Sequence, residues 1–284
     1  MTEQNILKYL KENYKNLTES QKLLAQYILD HYNEVVFMSA LELGKRVGVS
    51  DATIIRFAKA IGFDGYIDLK NAIKNSMKDI GAPDKRLLKN WNRFKDSNDL
   101  VMQIAHTDVS NLENFLLNID HDKIDKIVQS IFRAKTIYFL GIGSSRVIAQ
   151  FMAWHMRRMG FSVVNINDGG LVLFETLSAT TKDDVLFTCS FPRYLKDTYH
   201  ATQIAKNKGA KVITITDNEL SDIGINSDLV LSTSIETPSF FNSYVVPMEL
   251  CNILLMSILE KDKDKIYKKI KENSKNIKSV DLFL

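Results

Sequence analysis

Apolar residues recur at three- and four-residue spacing as far as Lys78, and no strand-like run interrupts them. That spacing predicts helices throughout this part of the chain. Thr18 followed three residues later by Gln21 is a capping-box signature, opening a helix that the pattern carries to about Asn33. Shorter helices follow, punctuated by Gly48, Gly62 and Gly65. Gly81-Ala82-Pro83-Asp84 breaks the pattern, and the polar, basic stretch around Trp91 and Phe94 reads as a linker over 81–97. Beyond two more helices, about 98–118 and 121–133, the regime changes. Short apolar, often β-branched runs at 136–140, 162–166, 184–188, 211–216 and 229–231 are mostly separated by helical patterns. Strand runs that do not alternate, spaced by helices, predict a parallel sheet covered on both faces. Five of them suit a three-layer, flavodoxin-like α/β domain. Residues 239–260 are expected to close it with a long apolar helix, and the lysine-rich 261–278 to form an exposed amphipathic one. The expected organisation is an all-α domain over 1–80, the linker, and an α/β domain over 98–284.

Composition narrows the class. A chain of 284 residues holds about two domains, and 45% hydrophobic with 25% charged residues excludes a disordered polymer. Cys189 and Cys251 are too few and too far apart for a disulfide framework or a CxxC zinc or redox site. No apolar run reaches the ~18 residues of a membrane span, and the polar stretch 1–14 lacks the apolar segment of a secretion signal. A cytoplasmic protein without membrane association is expected. The net charge of +3 permits a polyanionic partner without demanding one.

The sharpest pattern lies between Ser39 and Phe57. Leu43, Val47 and Val49 are apolar, Gly48 marks a tight turn, Ser50 can cap the next helix, and Ile54 and Phe57 return to the core. Gly44 sits where two helices must cross closely. These are the requirements of a helix-turn-helix. Its second helix, about 51–60, would turn Asp51, Ala52, Thr53, Arg56 and Lys59 outward. Short residues at its start allow close approach to a groove; Thr53 can bond a phosphate, and Arg56 can reach a base edge or the backbone. Lys45, Arg46 and Ser50 complete the candidate double-stranded DNA contact. The rival reading is a helical bundle with an accidental turn.

In the α/β half, the first strand runs into Gly141-Ile142-Gly143-Ser144-Ser145-Arg146. Two glycines let the backbone turn sharply, and Gly143, Ser144 and Ser145 place N–H and hydroxyl donors at a helix N-terminus, where an anion is favoured. A phosphate ester is the natural guest. A dinucleotide turn is weakened because Arg146 stands where its third glycine would be, although Asp168 lies roughly where a ribose-binding acid would. A merely structural strand-to-helix turn is the third reading. No histidine pair has metal-ligand spacing, Ser144 lacks a GxSxG elbow, and nothing singles out Glu175 or Glu249 as a base. No metal, cofactor or catalytic residue is expected.

Val49-Ser50-Asp51-Ala52-Thr53-Ile54-Ile55-Arg56-Phe57, then Ile61-Gly62-Phe63-Asp64-Gly65-Tyr66 and Leu69-Lys70, closely resemble the N-terminal domain of the RpiR/MurR family of bacterial transcription regulators. That family joins this helix-turn-helix to a C-terminal sugar isomerase (SIS) domain, and the resemblance extends over nearly the whole chain. It implies a regulator, a homodimer or dimer of dimers on an operator, and a phosphosugar held by the loops after the first and third strands. The second loop departs from the family's commoner Ser-x-Ser-Gly-x-Thr/Ser. Here Ser190 matches, while Pro192, Arg193 and Leu195 replace the second serine, the glycine and the final hydroxyl. Arg193, otherwise a surface loop arginine, can grip phosphate or carboxylate bidentately, so a carboxylated metabolite fits as well as a phosphosugar. The enzyme alternative is a phosphosugar isomerase with an accessory helical domain. A plain interaction module would leave both motifs unexplained.

Overall fold

The computed structural model describes residues 6–80, 86–87 and 99–278, so most of the expected linker at 81–97 lies outside the described residues. The chain divides into two compact units, Met1–Trp91 and Asn92–Leu284.

Among the described residues of the first unit the helical periodicity becomes α1 (Ile6–Asn13), α2 (Glu19–Val35), α3 (Ala40–Val47), α4 (Asp51–Ala60) and α5 (Tyr66–Ile80). Their apolar faces meet in one core containing Leu10, Leu24, Ile28, Leu43, Ile54, Phe57, Leu69 and Ile73. Local chemistry sets the boundaries. Gln21 reaches back to the Thr18 N–H at 3.0 Å. Ser39 and Glu42 cap α3 reciprocally, at 3.2 and 2.7 Å. Those bonds from Ser39 hold the Glu42 carboxyl below its usual range. The buried Tyr66 hydroxyl lies 3.2 and 3.1 Å from the carbonyls of Val35 and Met38, pinning the α2–α3 turn to α5.

The described part of the second unit opens with α6 (Leu100–Leu117) and α7 (His121–Arg133). The strands are β1 (Ile137–Leu140), β2 (Val163–Ile166), β3 (Val185–Cys189), β4 (Lys211–Thr216) and β5 (Leu229–Ser232). All pairings are parallel, in the order β2-β1-β3-β4-β5, the flavodoxin-like arrangement. The connecting helices are α8 (Arg146–Arg158), α9 (Leu171–Ser178), α10 (Lys196–Asn207) and the single turn α11 (Asp222–Ile225); α12 (Val245–Lys261) and α13 (Lys263–Lys278) end the unit. Alternate strand residues feed two cores. Ile137, Phe139, Val185, Phe187, Ile213 and Ile215 pack with α7, α8 and α12, while Tyr138, Leu140, Leu186 and Val212 pack with α9 and α10. Apolar residues on both faces are why the strands read as continuous runs.

One expected element is corrected. The closing helix begins at Val245, not near Ser239. Pro247 supplies the reason: in a helix starting at 239 it would stand in the interior, lacking its N–H and colliding with the carbonyl four residues back. Starting at Val245 puts it in the first turn, where that N–H has no helical partner. The preceding Phe240 and Phe241 are exposed, edge to face at 5.3 Å.

Candidate functional site

Two sites emerge, one in each unit. In the first, Gly48 adopts φ 81°, and its N–H and that of Val49 both bond the Gly44 carbonyl, at 2.8 and 2.9 Å. A left-handed C-terminal residue that returns the chain at once is what a tight helix-turn-helix needs. A Cβ on Gly44 would stand 2.6 Å from the Val49 carbonyl oxygen, so the close crossing admits only glycine. Ser50 then caps α4 by accepting from the Thr53 N–H at 3.2 Å.

Of the residues expected at DNA, Lys45, Arg46, Ser50, Asp51, Ala52, Arg56 and Lys59 are exposed, on the last turn of α3 and along α4. Thr53 is a correction: it is half-buried, not fully outward. Its hydroxyl is engaged by Ser50 Oγ at 2.9 Å and by one Arg56 N–H at 3.3 Å. Spacing of three along a helix stacks Ser50, Thr53 and Arg56 on one face, so Thr53 orients the arginine besides being available to a phosphate. Periodicity did not single out Ile55, which lies 40% exposed on α4; an outward β-branched residue among polar ones was the available signal.

In the second unit, strand order reverses direction between β1 and β3, whose ends align with Leu140 opposite Thr188. Ligands of open α/β sheets bind in the crevice beyond the strand C-termini at such a switch point. The two expected loops rise there. Gly141 is required by space, since a Cβ would stand 2.6 Å from the Ser145 carbonyl oxygen and 2.8 Å from Ala149 Cβ. Gly143 is required by conformation, with φ 65°. Gly143–Ser145 forms a 3-10 turn before α8. Gly143 and Ser144 are exposed, whereas Ser145 is buried, which corrects its expected part as an open hydroxyl donor. In the β3 loop Ser190 is also buried, its N–H extending the ladder to the Ile215 carbonyl at 3.0 Å, and Arg193 is exposed.

Neighbouring groups bias the chemistry of these loops. Arg146, legible in sequence only as a missing glycine, donates from Nε to the Gly143 carbonyl at 3.1 Å and pairs with Asp168 at 3.6 Å. The acid a ribose would need is thereby engaged, against the dinucleotide reading. At the start of α10, Asp197 Oδ2 accepts the Gly170 N–H at 2.8 Å. That carboxylate interacts favourably with a helix end otherwise suited to an incoming anion. Tyr194 donates to Asp217 Oδ1 at 2.7 Å and ties the β3 loop to β4; burial, then the adjacent carboxylate, push its phenol far above the usual range. A third wall was missed: Tyr244 OH lies 2.8 Å from Ser144 Oγ, and Asn242 Nδ2 donates to the Pro192 carbonyl at 3.3 Å. A contact across so much chain carries no periodic signal. Among the described residues no cluster of histidine, cysteine or carboxylate side chains could hold a metal ion, and no helix is long and apolar enough to cross a membrane.

Residues 4–79 match the helix-turn-helix domain of the rpiR family, and residues 130–257 match the SIS domain. An HTH-type transcriptional regulator of Clostridium perfringens is 29% identical over 278 residues, covering 95% of this chain and 98% of that one. The sugar isomerase domain of an RpiR transcription factor from Sphaerobacter thermophilus superposes with a TM-score of 0.60 at 26% identity, covering 62% of this chain and 98% of that one. The Vibrio vulnificus NanR protein, solved in complex with ManNAc-6P, shares the fold with a TM-score of 0.66 at 22% identity, covering 98% of this chain and 100% of that one.

Proposed function

Because this chain belongs to the RpiR family of helix-turn-helix regulators that carry a SIS domain, we propose that it is a transcription regulator that binds operator DNA in the cytoplasm and responds to a small anionic metabolite. One observation carries this reading: a capped helix-turn-helix and a glycine turn at the switch point of a parallel sheet are joined in one chain. In this reading residues 1–80 hold the DNA contact and 98–284 the sensor. α4 enters the major groove, its short first-turn residues Asp51 and Ala52 allowing close approach. Arg56 reaches a base edge or phosphate, Ile55 meets a thymine methyl, and Lys45, Arg46 and Lys59 contact the backbone. Exposed apolar residues of α6, among them Val101, Val109 and Leu117, supply a surface for a second copy. A dimer then sets two recognition helices against half-sites about 34–36 Å apart.

For the effector, the NanR complex supports a phosphosugar. The residues here narrow how it is held. Pro192 and Leu195 bring no hydroxyl to the second loop, and Asp197 adds negative charge beside it. The anion is accordingly held by the Gly143–Ser145 turn, with Ser190 beneath and Arg193 as the charged clamp, and a single phosphate or carboxylate satisfies it. A thermal-shift panel of phosphosugars and small carboxylates, followed by calorimetry, distinguishes the two. The isomerase alternative would need a base. Glu175 is exposed and Glu249 accepts from Asn252. Turnover of any phosphosugar in that panel would favour it.

Two outcomes test the assignments. Arg56→Ala is expected to leave the fold intact and weaken operator binding by about 1–3 kcal/mol; relaxed preference at one base pair indicates base readout, a uniform loss indicates a phosphate contact. Unchanged affinity in a mobility-shift titration removes α4 from the interface. Arg193→Ala is expected to weaken effector binding about 10- to 150-fold, the worth of a charged hydrogen bond, with operator affinity in the absence of effector unchanged. Equal calorimetric affinities would return the β3 loop to a structural role.

A further inference from the structure

Between β5 and α12 the chain forms a strap whose polar groups are tied on two sides. Toward the crevice, Tyr244 OH meets Ser144 Oγ at 2.8 Å, its ring lies 5.5 Å from that of Phe191, and Asn242 holds the Pro192 carbonyl. Toward α6, Ser243 Oγ donates to Asp108 Oδ1 at 2.6 Å. Buried Asn111 donates to the Glu236 carbonyl and accepts from Ser234 Oγ, both at 2.9 Å. Asp108 and Asn111, three apart, share one face of α6. The strap is thus bonded to both candidate effector loops and to α6, where the described part of the second unit begins.

We propose that Tyr244, Ser243 and Asp108 are positioning residues that transmit occupancy of the β1 turn to α6. The inference rests on the effector-site reading above. Ser144 Oγ has one proton and two acceptor sites, and a ligand oxygen seated in the Gly143–Ser145 turn competes with the Tyr244 phenol for them. Tyr244 must then move or bond the ligand itself. Ser243 is joined to it by a single planar peptide, so a shift of Tyr244 is felt at the bond to Asp108. Parting there leaves a half-buried carboxylate oxygen without that donor, so the two positions of the strap differ in free energy. Such a difference is what coupling between an effector site and a distant element requires.

Amide hydrogen exchange of α6 in the full-length chain reads the link without any ligand. Ser144→Ala and Tyr244→Phe each delete one hydroxyl of the contact. Each is expected to speed exchange over residues 106–112 about 3- to 10-fold, the worth of one intramolecular hydrogen bond, and the double variant no more than either alone. In a Ser243→Ala background the strap is already parted from α6, and adding Ser144→Ala then changes nothing further. Thermal unfolding monitors the fold; should Tyr244→Phe compromise it, the Ser144→Ala pair with and without Ser243→Ala decides alone, since Ser144 is exposed. Wild-type exchange in Ser144→Ala, or the same acceleration in the Ser243→Ala background, overturns the proposal. Calorimetric titration with inorganic phosphate separates the two readings. Phosphate that binds wild type while α6 exchange ignores Ser144→Ala refutes the relay alone. Coupling without phosphate binding supports the relay and counts against the anion site.

Discussion

Replacing Gly44 by valine is expected to abolish sequence-specific duplex binding while the α/β unit keeps its own unfolding transition. The Cβ of any residue here meets the Val49 carbonyl oxygen at 2.6 Å. Because that obstacle is backbone, it yields only if the turn opens. Opening it breaks the bonds from the Gly48 and Val49 N–H groups to the Gly44 carbonyl, and α4 loses its place against α3. Overpacking of this kind costs about 1–3 kcal/mol. The loss in recognition is larger, because specific complexes exceed non-specific ones by about 10³- to 10⁷-fold. With a duplex selected from a random pool by the wild-type chain, the variant should bind no better than to unrelated DNA. Gly48→Ala is the contrasting case. Its Cβ has open space but φ is 81°, so the cost is the left-handed conformation alone, about 1–2 kcal/mol, and specific binding should persist. Retained specificity in Gly44→Val would show that the crossing does not position the recognition helix.

Phe187→Ala is expected to destabilise the α/β unit by about 3–5 kcal/mol. Phe187 is fully buried on the central strand β3, opposite Phe139, with ring centroids 5.1 Å apart. Truncation loses the apolar transfer energy, opens a cavity among residues held by strands and helices that collapse poorly, and removes the ring pair. Urea unfolding followed by a probe in this unit should show a lower midpoint at unchanged slope. The first unit, which has its own core, should keep its midpoint. A loss below about 1 kcal/mol would mean that the layer between the sheet and helices α7, α8 and α12 is not packed as described.

The elements of both units were legible in the sequence because their signals are local. A cap bonds an N–H three residues on, so Thr18 with Gln21, and Ser50 before Thr53, announce where α2 and α4 begin. Gly44 and Gly48 mark the turn by size and conformation, and apolar runs that do not alternate betray strands buried on both faces. What the tertiary structure decided was set by contacts between residues far apart in the chain, which leave no period to read. Strand order placed the β1 and β3 loops on either side of the switch point. Packing buried Ser145 and Ser190, and it folded Thr53 into the face that holds Arg56. Pro247 could have marked the true start of α12, but the apolar run around it concealed that punctuation. The contacts that bring Tyr244 to Ser144 and Ser243 to Asp108 join segments more than ninety residues apart. Hydrogen bonds of that kind depend on the assembled sheet and the helices packed on it, because only that geometry sets the partners within reach of each other.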